Sequence, residues 1–265
     1  MILRHSIKTS LHDLIIAGIT FVGIALCLYL DSLHDLALQN ALGKCAWVVL
    51  IGLLIWETGL VRLQVLIAVL FATLGEHFAS GLMEGYIYHF HNLPAYVPPG
   101  HGMVYLTAVA LARSPIFQAL QRPILWGVLT TMGLWSLWGV TFAERSDWIG
   151  MLLFLAYLPC VLWGRAPLVY LGAFFVTTYL ELIGTALGTW RWVEVDPVLS
   201  LPQGNPPSGV AAWYCLVDAV AMGGASWLID QWNGIRALPA RIRSALTLPA
   251  WVRVVRKTEV PYENR

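Results

Sequence analysis

The chain has 265 residues, of which 58% are hydrophobic and 12% charged, and its formal net charge is +1. A soluble domain carries about 25% charged residues, so lipid must cover part of this surface. The weak net charge gives no ground for a nucleic-acid partner. The four cysteines (Cys27, Cys45, Cys160, Cys215) lie inside apolar runs without CxxC spacing and read as small hydrophobes.

Arg4 and Lys8 precede an apolar run at 14–30 that has no small-residue cleavage site after it, so it reads as an uncleaved first helix. Further helices are predicted at 38–56, 63–83, 102–120, 124–142, 148–164, 167–187 and 209–229. These runs approach the roughly 20 residues that cross a bilayer. "RSPIFQALQRP" (113–123) can follow an earlier end of the fourth helix as an interfacial segment. The expected fold is an all-α polytopic membrane protein with about eight transmembrane helices.

The positive-inside rule orients it. With the N-terminus in the cytoplasm, the cytoplasmic side holds Arg4, Lys8, Arg62, Arg113, Arg122, Arg165, Arg236, Arg241, Arg243, Arg253, Arg256, Lys257 and Arg265. The outer side holds Arg145 and Arg191, with Lys44 near the outer end of the second helix. Both termini are thus expected in the cytoplasm and the chain in the cell inner membrane. The basic tail, 236–265, is expected to rest on anionic lipid headgroups, with Trp251 dipping into them.

The third and seventh predicted helices lead into similar stretches. "EHFASGLMEGYIYHFHNLPAYVPPGHGMVY" runs from Glu76 to Tyr105, and "ELIGTALGTWRWVEVDPVLSLPQGNPPSGVAAWY" runs from Glu181 to Tyr214. Each has a glutamate, two glycines four apart (Gly81 and Gly85; Gly184 and Gly188) and two aromatics two apart (Tyr86 and Tyr88; Trp190 and Trp192). Each then has Pro-Pro and a tyrosine early in the next helix. This pattern implies two parallel four-helix halves, 1–120 and 121–235, with re-entrant or ordered outer loops. The glycines suggest close helix crossings, and the Pro-Pro pairs suggest extended backbone.

Glu76 and Glu181 fall roughly 5 and 6 Å outside the centres of their predicted helices, at 1.5 Å rise per residue. Asp218 falls almost at the centre of the last. Ionisable groups at such depth are costly and are functional candidates. Each is expected to be able to sit there as a neutral acid that can donate a proton. His77, His89, His91 and His101 lack the HxxxH and HxxHH boxes of membrane di-iron enzymes, so no metal or other cofactor is expected. His77 and His101 are read instead as polar contacts to a substrate.

The segment "ELIGTALGTWRW" (181–192) resembles the ExxGxxxGx[FWY]x[FWY] segment of the bacterial and archaeal carotenoid hydratase family, polytopic enzymes that add water to the end of an acyclic carotenoid. "LPQGNPPSG" (201–209) continues it, with Asn205 where that family has an asparagine before a Gly-Trp pair. The family's Pro-Phe-Gly is absent, and Glu76 precedes its glycine by five residues instead of three. The resemblance implies a long apolar, isoprenoid-like substrate entering from the lipid.

The expected activity is therefore acid chemistry at a carbon–carbon double bond: hydration, isomerisation or cyclisation, as in a carotenoid hydratase-like lyase. Glu181, Glu76 and Asp218 are the candidate catalytic residues. Trp190, Trp192, Tyr86, Tyr88, His77, His101, Asn205, Tyr105 and Tyr214 are the candidate substrate contacts, the aromatics stabilising a cation through their π faces. A carrier for a small lipophilic molecule, with the acids as proton-coupling groups, and a scaffold whose acids only hydrogen-bond are the alternatives.

Overall fold

Runs of Leu, Val, Ile and Ala with few interior breakers fold as helices in the computed structural model, which describes residues 2–237, with side chains from 11 to 234. The helices are α1 (Ile2–Asp31), α2 (Leu36–Leu54), α3 (Gly59–Glu76), α4 (Val97–Arg113), α5 (Pro115–Ala119), α6 (Gln121–Thr141), α7 (Trp148–Trp163), α8 (Pro167–Ala186) and α9 (Ala212–Ala237). Two three-residue strands, β1 (Tyr86–Tyr88) and β2 (Trp190–Trp192), complete it. Side-chain caps start several helices: Asp35 accepts from the Ala37 and Leu38 amides, Thr58 from Val61 and Asp147 from Gly150, each satisfying otherwise orphaned donors.

Among the described residues, six helical segments are long and apolar enough to cross a membrane: 11–31, 36–54, 59–82, 121–141, 167–186 and 212–234. Large apolar side chains such as Val22, Val48, Leu70, Leu134 and Leu216 stand exposed along them, which water would penalise and lipid tails would not. The fold is that of a polytopic helical membrane protein. α7 is apolar but has sixteen residues, and α4 has seventeen. The basic tail predicted at 236–265 lies outside the described residues apart from the last turn of α9.

α4 and α8 lie deepest. α4 packs on α1, α2, α3 and α8, while α9 packs on α3, α7 and α8. Two expectations from sequence fail in detail. The fourth helix starts at 97 instead of 102, because Pro98 and Pro99 occupy its first turn, where a missing N–H costs nothing. The predicted glycine crossings are also misplaced: Gly81 faces open space, and Gly184 makes room for the Trp190 indole. Close helix approach occurs instead at Gly172, where a Cβ would come 2.8 Å from the Ala108 carbonyl oxygen, and at Gly102 against Leu50 and Val69.

At the end of the bundle away from the strands, Arg113 closes α4. Its guanidinium donates to both oxygens of Glu57, at 2.7 and 3.0 Å, and to Asp13 at 2.6 Å. α1, the α2–α3 turn and α4 are thereby joined by one planar fork. Arg62 adds a second tie, donating to the Leu54 and Ile55 carbonyls at the end of α2.

Arg113→Met would leave two nearly dry carboxylates facing each other. The guanidinium is 35% exposed, so the loss should lie between an exposed and a buried pair, at about 1–3 kcal/mol. Thermal unfolding of purified protein should show Arg113→Met well below Arg113→Lys, which keeps the charge.

Candidate active site

"YIY" and "WRW" alternate aromatic with another residue, and a strand sends alternate side chains to opposite faces. β1 and β2 pair antiparallel with Tyr86 opposite Trp192, Ile87 opposite Arg191 and Tyr88 opposite Trp190. The four aromatics are buried on the inward face, while Arg191 is exposed on the other. Bonds from the Val193 amide to the Gly85 carbonyl and from the His89 amide to the Thr189 carbonyl, each 3.1 Å, extend the ribbon. Gly188 leaves α8 at φ +71°, a conformation that costs other residues.

The connection before α9 holds this ribbon in place. The Trp192 amide donates to Asn205 Oδ1 at 2.9 Å, and Gln203 Nε2 donates to the Gly85 carbonyl at 3.1 Å. Arg145 donates to the carbonyls of Gln203, Trp192 and Val193. Buried Asp147 accepts from the Gly204 and Ser208 amides, each at 2.7 Å. On the other flank, buried Asp31 accepts from Gln39 at 2.9 Å and Tyr96 at 2.8 Å, and Gln39 accepts from Asn92 at 2.8 Å.

Beneath the ribbon lie the two glutamates. Glu76 Oε2 accepts from the hydroxyls of Tyr86 at 2.5 Å and Tyr88 at 3.0 Å. Glu181 Oε2 accepts from the indole N–H groups of Trp190 at 3.0 Å and Trp192 at 3.1 Å. Each helix and the strand that follows it thus supply one carboxyl and two aromatic donors, and the Tyr86 and Trp192 rings lie 4.7 Å apart between centroids. A helix cannot offer these donors, since its amides are already spent inside it. Just past Glu76 the helix widens into a π-helical turn, His77–Leu82, a distortion frequent at functional sites.

His101, at the start of α4, lies between Glu76 and α9. Its Nε2 comes 3.3 Å from Glu76 Oε1 without the alignment of a hydrogen bond, and its Nδ1 is 2.8 Å from the Tyr214 hydroxyl. Asp218 and Tyr105 are fully buried, and neither the two Asp218 oxygens nor the Tyr105 hydroxyl has a hydrogen-bond partner.

Of the residues singled out from sequence, Glu76, Glu181, Tyr86, Tyr88, Trp190, Trp192, His101 and Tyr214 therefore meet in one cluster. Tyr105 and Asp218 lie in the adjacent interior, and Asn205 acts from outside by holding β2. His77 is exposed on the π-helical turn and is not brought to the cluster. Among the described residues the four histidines of the first repeat unit form no ligand set. The group with metal-like spacing is His12, Asp13 and Glu57, and the Arg113 guanidinium already binds both its carboxylates.

A cleft of ≈ 480 Å³ opens over the ribbon's outward side, lined in part by Ile87, His89, His91, Gly188 and Arg191. Neither glutamate lines it, so the ribbon stands between this cleft and the acids. Sequence reasoning missed Asp31, Gln39, Asn92, Tyr96, Arg145 and Asp147. Asp31 and Asp147, acids at helix ends beside aromatic loops, were the available signal.

No protein-family model, curated protein or solved structure matches the chain. Fold and site together define a polytopic membrane protein with a carboxyl-bearing interior closed by an aromatic ribbon.

If the Tyr86 hydroxyl supports Glu76 as drawn, Tyr86→Phe and Glu76→Gln should not add. Each single change should destabilise by roughly 0.5–3 kcal/mol, with a coupling of at least about 0.5 kcal/mol in the double-mutant cycle. Chemical or thermal unfolding of the four proteins measures this.

Proposed function

We propose that the protein is a membrane-embedded enzyme that acts on a long apolar, isoprenoid-like substrate by acid catalysis at a carbon–carbon double bond. The observation that carries this reading is the pair of intramembrane carboxyls, each presented by two aromatic donors beneath one ribbon. The resemblance of 181–192 to the carotenoid hydratase segment supports the same substrate class.

The two acids are dressed differently, and that suggests separate roles. Both indole bonds fall on Glu181 Oε2, so Oε1 is the oxygen proposed to carry a proton to the alkene. Glu76 has phenol donors on Oε2 and an imidazole near Oε1, an environment suited to a carboxylate that orients water. Protonation of the alkene carbon by Glu181 leaves a cation on the neighbouring carbon. The faces of Tyr88, Trp190 and Trp192 stabilise that charge, and water adds to it while Glu76 takes the released proton. Loss of a proton from the cation instead of water attack completes an isomerisation or cyclisation.

Eight spans in two parallel halves, with α7 and α4 as the short members, fit this scheme. They are supported by the paired packing of α4 on α8 and of α9 on α3, and by a ribbon register centred on Ile87 and Arg191. The near-equivalence of the halves also favours the second reading, a carrier for a lipophilic molecule. His101 and Asp218, which have no counterparts in the other half, favour chemistry. The distribution of basic residues supports both termini in the cytoplasm and the ribbon on the outer side of the cell inner membrane.

Two measurements test these proposals. Lipid extracts from cells with and without the gene should differ in an isoprenoid, by absorbance and mass. Glu181→Gln should fold but lower conversion by the roughly 10²-fold or more of a lost general acid, with exposed Glu144→Gln near wild type. Full activity in Glu181→Gln removes the mechanism, and accumulation without conversion favours the carrier. Membrane-impermeant labelling of single cysteines should reach position 87 or 191 from outside the cell. Labelling only after the membrane is opened would reverse the orientation.

A further inference from the structure

One line of polar side chains continues from Glu76 into the centre of the bundle. Glu76 Oε1 lies 3.3 Å from His101 Nε2, and His101 Nδ1 lies 2.8 Å from the Tyr214 hydroxyl. Tyr214 and Asp218 are i and i+4 on α9, so their side chains share one face, one turn apart. Asp218 is fully buried and neither of its oxygens has a hydrogen-bond partner, an arrangement that costs stability. An acid kept only for structure would be expected to hold a bond. This one holds none, and it lies one turn from Tyr214 on the same face of α9.

We propose that His101 and Tyr214 form a proton relay connecting Asp218 to Glu76. The transfer is a chain of exchanges. The Asp218 O–H bond breaks as its proton joins the Tyr214 oxygen, whose own proton passes to His101 Nδ1. The proton on Nε2 then passes to Glu76 Oε1. Asp218 ends as a carboxylate, Glu76 ends protonated, Tyr214 is unchanged and His101 has switched tautomer. A small rotation of the His101 ring aligns the last contact. When Asp218 is the carboxylate, the reverse transfer returns to it the proton that Glu76 takes from water. The relay itself stands on geometry, and only this purpose rests on the acid-catalysis reading.

Infrared spectroscopy of the purified protein in deuterated buffer tests it without any turnover. The carboxylic C=O stretch of Asp218 is assigned by its loss in Asp218→Asn, or by ¹³C-aspartate labelling if that variant does not fold. Its shift on deuteration reports proton exchange with the outer side. Tyr214→Phe and His101→Gln should each slow that exchange at least 10-fold, and Tyr105→Phe should not. No protonated Asp218 band, unchanged exchange in both relay variants, or slowing by Tyr105→Phe alone would overturn the relay. Slowed exchange together with undiminished lipid conversion keeps the relay and removes the catalytic reading instead.

Discussion

A carboxyl inside a lipid-embedded helix bundle has almost no donors within reach, because helical amides are bonded within their own helices. The rest of this structure depends on how that shortage is met. Glu76 and Glu181 sit near the ends of α3 and α8, and the chain beyond each helix turns back as a short strand carrying two aromatic donors. Tyr86 and Tyr88 satisfy the first acid, and Trp190 and Trp192 satisfy the second. A three-residue strand is marginal alone, so each strand needs the other: pairing of β1 with β2 aims all four donors inward.

The surrounding polar groups follow from that need. A two-stranded ribbon over a bundle has two free edges. Arg145, Gln203 and Asn205 bond along one flank of the assembly, and Asp147 fixes the loop that carries Gln203 and Asn205. Asp31 gathers Gln39 and Tyr96 on the other flank. At the opposite end, Arg113 binds Glu57 and Asp13 and so sets α1 and α4 relative to each other. The interior is thus polar at places specified by side-chain bonds, in a bundle otherwise held by apolar packing around residues such as Tyr105, Leu106, Leu171 and Met132.

Much of this was legible in the sequence because lipid imposes simple rules. Uninterrupted apolar runs gave the long helices, and intramembrane acids with aromatic pairs two apart gave most of the cluster. What stayed hidden depended on how the elements meet in space, not on local pattern. Nothing local says that Gly184 yields space to Trp190 and not to another helix, or that Pro98 and Pro99 begin α4 and not an extended segment. The role of Arg145 was equally concealed: a charge in a loop looks solvated until three carbonyls converge on it. His77 lies apart from the cluster because its neighbour Glu76 faces inward while the next position on the helix turns outward.

Pairing of β1 with β2 presents both acids to one interior. Its most direct test is a cross-link between Ile87→Cys and Arg191→Cys, in a chain whose four native cysteines are replaced by alanine. Directly opposed residues of an antiparallel pair lie at about 4.5–5.5 Å between Cα atoms, within disulfide reach. Rapid intramolecular disulfide formation is expected in membranes, seen as a reducible mobility shift, with no comparable bond between Ile87→Cys and Leu199→Cys. Failure of the 87–191 pair to cross-link in folded protein would contradict it.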